Sequence, residues 1–162
     1  MSVCSIEIGG TLPRSLGLSK AELRAAAAFF AARSARRSGL SFRSVAVVLQ
    51  DDEASAEVHE AVNGAKGATD VVTQGYDAMP GEEPGVYGEL YVNTDQAARV
   101  APKRAGWSPA KELLLYVAHG MDHLSGEDDL DERGYDRMRR RELAWLADWE
   151  RAASGAGRGA KW

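Results

Sequence analysis

The sequence holds one cysteine, Cys4, among 162 residues. A disulfide framework is thereby excluded and no disulfide partner is expected. A lone thiol fits a reducing compartment, so the expected location is the cytoplasm. Long apolar runs are also missing. The longest, 25–32 (AAAAFFAA), falls far short of the ~20 residues a membrane span needs, and no membrane partner is expected. Residues 1–10 lack a basic start and an apolar stretch, so no signal peptide is expected. Internal repeats are absent. Disorder of the whole chain is excluded by 44% hydrophobic and 27% charged residues, a globular composition. The length suits one domain with a core large enough to need no covalent staples. The expected unit is 1–153, with 154–162 (SGAGRGAKW) as a flexible tail.

Positive charge is scarce in the middle of the chain. Residues 51–95 hold one Lys/Arg, Lys66, against eleven Asp/Glu, a net of −10. Residues 1–43 carry seven Lys/Arg and two Asp/Glu, a net of +5, and the whole chain stands at 20 − 24 = −4. An acidic chain is a poor general binder of polyanions. The N-terminal cations Arg33, Arg36 and Arg37 would meet a phosphate backbone only locally, and their plainer reading is a solvated helix face.

Local patterns predict a small mixed sheet with helices around it, an α+β fold of about four strands and five helices. Strands are expected near 3–8, 45–49, 69–73 and 89–93. The apolar run 45–49 (VAVVL) reads as a strand buried on both faces. Ser19 with Glu22 reads as a capping box opening a helix to about Arg37, which Gly39 ends. Shorter helices are expected near 53–62 and 95–104, and an amphipathic one over 131–151. Ser108-Pro109 is a strong start signal. The helix it opens, about 109–124, is apolar nearly all round and should be central and buried.

Histidine is scarce too: His59, His119 and His123 are the three. His119 and His123 sit four apart on that central helix, hence on one face about 6 Å apart along its axis. Two imidazoles so placed reach one metal ion, and the acidic residues Asp122, Glu127, Asp128 and Asp129 crowd around them. Ordinary core histidines are the competing reading. Gly120 within the helix implies close approach by another backbone or by a ligand. It also occupies the place where an HExxH peptidase carries its general base, which disfavours peptidase chemistry. His59 is expected to be structural or solvated, and Cys4 to be a small buried hydrophobe.

The string His119-Gly120-Met121-Asp122-His123-Leu124-Ser125-Gly126-Glu127-Asp128-Asp129 resembles the YbeY family of bacterial rRNA maturation factors, whose motif reads HGxLHLxGYDH. Asp51-Asp52-Glu53 after a strand, Thr69-Asp70-Val71 after a turn, and Gly88-Glu89-Leu90 before a strand resemble that family's landmarks in the same order. The resemblance covers about 45–150. It implies a single-metal endoribonuclease specific for single strands, acting in rRNA processing and ribosome biogenesis, with RNA and the ribosome or its precursors as partners. It implies one metal ion, zinc by expectation, held by His119, His123 and Asp129, the last in place of the family's third histidine. Three protein ligands would leave a position for water, whose pKa the metal lowers. An arginine proposed to help catalysis in some members of that family falls on Asn63, and Lys66 is the nearest cation, the expected substrate-binding residue. Two other readings stand beside it: a non-catalytic ribosome-assembly factor with a structural metal, and a metal-dependent hydrolase of another substrate.

Overall fold

A computed structural model describes residues 3–155. Among them the chain forms, in order, β1 (Ser5–Gly9), α1 (Lys20–Ser38), β2 (Phe42–Gln50), α2 (Asp52–Asn63), β3 (Val71–Tyr76), β4 (Val86–Asn93), α3 (Thr94–Val100), α4 (Pro109–Leu124) and α5 (Glu132–Gly155). The sheet order is β1-β2-β4-β3. β1, β2 and β4 run parallel, and β3 lies antiparallel on the β4 edge. The fold is the expected α+β arrangement of four strands and five helices. No helix among the described residues is long and apolar enough to cross a membrane.

Capping sets the helix starts. Ser19 Oγ accepts from the Glu22 N–H at 3.1 Å, Asp51 Oδ1 from Ala54 at 2.9 Å, and Ser108 Oγ from Lys111 at 3.1 Å. Each satisfies an amide the helix itself leaves open.

One face of the sheet carries Val45, Val47 and Leu49 of β2 with Leu90 and Val92 of β4, all buried. Ala46 and Val48 on the opposite face are only half-buried. The expectation of burial on both faces of β2 is thus corrected: the main core lies on one side, where α1 and α4 pack. β3 begins at Val71 rather than at 69: the Thr69 backbone pairs with Ser55 Oγ of α2 instead of with β4, and only the Asp70 carbonyl still meets β4, accepting from the Asn93 N–H at 2.9 Å. The Thr69 N–H donates to Ser55 Oγ, and Asp70 Oδ1 accepts from the Val71 N–H at 2.7 Å. α3 stops at Val100 and gives way to a 3-10 turn over Ala101–Lys103, since Pro102 cannot continue the α-helical ladder. α5 continues to Gly155, so Ser154 and Gly155 are helical and not tail; the rest of the expected tail, 156–162, lies outside the described residues.

α4 is the central helix. Every residue from Leu113 to Asp122 is buried, and α4 packs on α1, α3, α5, β3 and β4. Two glycines set how it seats. A Cβ on Gly120 would lie 2.8 Å from Leu90 Cδ2, so the close approach at Gly120 comes from a β4 side chain, neither from backbone nor from a ligand. Beyond it Leu124 lies over Gly88, where an added Cβ would meet both Leu124 methyl carbons at 2.7 and 2.8 Å. Ser34 of α1 donates to the Met121 carbonyl at 2.9 Å, capping one of the carbonyls the end of a helix leaves free. Replacing the fully buried Leu114 by Ala should lower unfolding free energy by ~2–5 kcal/mol. Denaturant melts of the two proteins measure this, and a loss below ~0.5 kcal/mol, typical of surface changes, would contradict the central placement of α4.

Candidate metal centre

His119 and His123 project from the last two turns of α4, and Asp129 reaches them from the loop between α4 and α5. The two Nε2 atoms are 3.0 Å apart. Asp129 Oδ2 stands 3.5 Å from His119 Nε2 and 3.8 Å from His123 Nε2. These three donors lie within 4.8 Å of one another. His119 is buried, while His123 and Asp129 are half-buried, so the cluster is walled on the protein side and open on the other.

The opposite ring nitrogens are engaged. His123 Nδ1 lies 2.9 Å from the Glu127 carbonyl oxygen. A carbonyl only accepts, so Nδ1 carries the hydrogen and Nε2 of the neutral ring keeps its lone pair. His119 Nδ1 lies 2.8 Å from Glu142 Oε2, and an ionised carboxylate fixes the same tautomer. Two Nε2 lone pairs and one carboxylate oxygen therefore face a common point. That donor set suits a transition metal such as zinc and leaves a position for a further ligand.

The charges behind the cluster are tightly paired. Burial disfavours a charged His119 ring, but the hydrogen bond and charge of Glu142, helped by Asp70, outweigh it and raise the pKa above the usual imidazole value. Burial pushes the Asp122 carboxyl up to about 6, with the Arg141 guanidinium working against that rise. Arg141 donates to Asp122 Oδ2 at 3.0 Å and to Glu127 Oε1 at 2.8 Å. Its hydrogen bond holds the Glu127 carboxyl below the ordinary range. Arg37 of α1 joins from the other side, donating to Ser125 Oγ and pairing with Asp122 and Glu127. Asp122 and Glu127, which looked from the sequence like further metal donors, are thus occupied by arginines.

A family model described as endoribonuclease YbeY matches residues 17–150.

The chain belongs to the YbeY family.

A curated relative, endoribonuclease YbeY of Thermobifida fusca, is 33% identical over 114 residues, which cover 67% of this chain and 73% of that protein. The protein of the same name from Kineococcus radiotolerans is 36% identical over 113 residues, or 64% of this chain and 65% of the relative, just under two thirds of its length. The solution structure of TM1509 from Thermotoga maritima has the same fold, with a TM-score of 0.60 over 96% of this chain and 97% of that one at 22% identity.

Against the YbeY motif, the structure brings His119, His123 and Asp129 together and leaves other sequence-stated candidates elsewhere. Asp128 is exposed and faces the N–H of Leu130, with a separation of 3.5 Å. Asn63 is the exposed last residue of α2, and Lys66 stands exposed in the turn that follows, without a hydrogen bond or ion pair among the described residues. His59 Nδ1 lies 2.8 Å from the Gly67 carbonyl and ties that turn to α2, a structural role. The Cys4 thiol is half-buried, and burial pushes its pKa up to about 11. Arg33 pairs with Asp148 at 2.7 Å and lies over the Phe29 ring. With Arg37 bound to the acidic pair, two of the three N-terminal arginines serve the fold.

Glu142, which the YbeY motif string does not reach, is the residue missed from sequence. It is completely buried on α5 beside Met138, Trp145 and Trp149. Its place in that row of apolar residues, at spacings of four, three and four, was the available signal, because a carboxylate on the core face of a helix needs a partner.

Proposed function

We propose that this protein is a metal-dependent endoribonuclease that hydrolyses single-stranded RNA in rRNA processing, working in the cytoplasm on ribosomal precursors. His119, His123 and Asp129 hold one divalent ion, zinc by the chemistry of the donors. The observation that carries the reading is the convergence of two imidazole Nε2 atoms and one carboxylate oxygen within 4.8 Å on a half-open face, in a chain whose curated relatives bear the name endoribonuclease. Bound there, the metal supplies Lewis acidity for a phosphoryl oxygen and lowers the pKa of water.

The protein's own groups position the rest. Glu142 and the Glu127 carbonyl hold the two rings in the tautomer that presents Nε2. The Arg141–Glu127 contact fixes the carbonyl that grips His123. Lys66 is free to meet an RNA phosphate. One observation favours a second reading, an assembly factor whose metal is structural: Asn63 stands where the family has its arginine, removing a cation from the substrate side.

Metal-loaded protein should cut a single-stranded RNA oligonucleotide, and His119→Ala should reduce the rate by ~100-fold or more, beyond the 10–100-fold usual for groups behind a ligand. Equal cleavage by both would mark a contaminating nuclease and sink the enzymatic reading. RNA bound but never cut by the wild type would favour the assembly factor.

A further inference from the structure

We infer that the first half of α5 is the surface that holds the RNA backbone beside the metal cluster. This rests on the proposed ribonuclease reading and supplies the cationic surface that Asn63 removes from the family's position.

The argument begins with spacing. Arg133, Arg137 and Arg140 recur at intervals of four and three, which keeps them on one face of a helix over about 10 Å of its length. All three are exposed, and with Asp136 and Arg141 they line a surface cavity of ≈ 490 Å³. Asp136 is the one carboxylate in that lining. Arg137 and Arg141 reach back to Glu127 at 3.8 and 2.8 Å, and the carbonyl of that same residue binds His123. The row is therefore joined at Arg137, through Glu127, to the metal-facing His123. Its near end is also tied to the Asp129 loop: α5 is capped by Asp131, whose Oδ1 accepts from the Gly134 N–H, and Gly134 sits against the Asp128 carbonyl.

Arg133 and Arg140 differ from their neighbours. Neither makes a hydrogen bond or ion pair among the described residues, although most nearby cations are neutralised: Arg37 and Arg141 by Asp122 and Glu127, Arg33 by Asp148. Guanidinium groups left unpaired and aligned on one rigid face match the phosphates of an extended strand. The rest of the molecule narrows the choice of surface, because residues 51–95 carry a net charge of −10 and repel a polyanion. RNA leaving the metal cluster is steered along α5.

The test uses the full-length, metal-loaded protein carrying R133E/R140E. Arg137 and Arg141 are left in place because they support Glu127. Affinity for a phosphorothioate-linked single-stranded RNA, which resists cleavage, is followed by fluorescence anisotropy from low to moderate salt. Loss of two phosphate contacts should weaken binding by roughly tenfold and make the salt slope shallower by ~1.4. On ordinary RNA, KM should rise by a similar factor while kcat stays within about twofold. R133Q/R140Q should fall between wild type and the reversal. R14E/R24E, which makes the same change in net charge at exposed positions on other elements, should bind nearly as well as wild type. Metal content should be equal in every variant. Wild-type affinity and slope in R133E/R140E would overturn the assignment, as would an equal loss in R14E/R24E. A wild type that binds the phosphorothioate strand through Arg133 and Arg140 yet never cuts ordinary RNA would keep this surface and discard the nuclease.

Discussion

Asp129→Ala should strip the protein of its metal, whereas Asp129→His should keep it. Asp129 supplies the one anionic donor of the three, 3.5 and 3.8 Å from the two Nε2 atoms. Without it two neutral imidazoles remain, too few to hold a tetrahedral ion against water or a competing chelator. The loss should exceed ~100-fold in affinity, the upper range for groups that merely support a ligand. Histidine at 129 restores a third donor of the kind the family motif carries. Asp128→Ala is the contrast, because that carboxylate is exposed and contacts only its own loop; its affinity should change by less than about tenfold. Metal content after dialysis against a weak chelator separates the three variants. Wild-type retention by Asp129→Ala would mean that the ligand set is wrong.

Glu142 should prove nearly as important without touching the metal. Glu142→Gln keeps an amide oxygen that can accept from His119 Nδ1 but removes the charge that raises the basicity of the ring. Metal affinity should fall ~10–100-fold while the protein still folds. Glu142→Ala adds a cavity and leaves the Nδ1–H buried without an acceptor, costing about 2–4 kcal/mol as well. Thermal melts in chelator read the stability part, and competition with a metal indicator reads the affinity part. Unchanged affinity in Glu142→Gln would show that the carboxylate is only filling space.

Local chemistry made much of this legible in the sequence. Ser108-Pro109 announces α4, its unbroken apolar composition announces that it is central, and the four-residue interval puts both imidazoles on one side. What escaped was decided by contacts distant in sequence. The strand expected near 69–73 stops short of Gln74, Gly75 and Tyr76, yet the ladder with Glu89, Gly88 and Tyr87 holds them in β3. The start of β4 was hidden in the same way, since Gly88 is weak strand material until Leu124 is seen to need its missing side chain. Arg37 reads as a surface cation because its partners, Asp122 and Glu127, lie about 90 residues further on. Glu142 was visible as an anomaly within the apolar row of α5, but periodicity names a face and never the residue opposite.

The two glycine contacts under α4 also act mechanically. Leu90 pressed on Gly120 behaves as a fulcrum, and Leu124 resting on Gly88 fixes the height of the free end. His119 lies beside the fulcrum and His123 near the tip. Any shim at position 88 would tilt the tip and leave the pivot almost still, shifting His123 against Asp129, 3.8 Å away on the following loop, while the two imidazoles, borne on one helix, kept their mutual spacing. The seat of α4 relative to the Asp129 loop is therefore gauged by the floor of the sheet, and β4 sets the bite of the site without contributing a single donor to it.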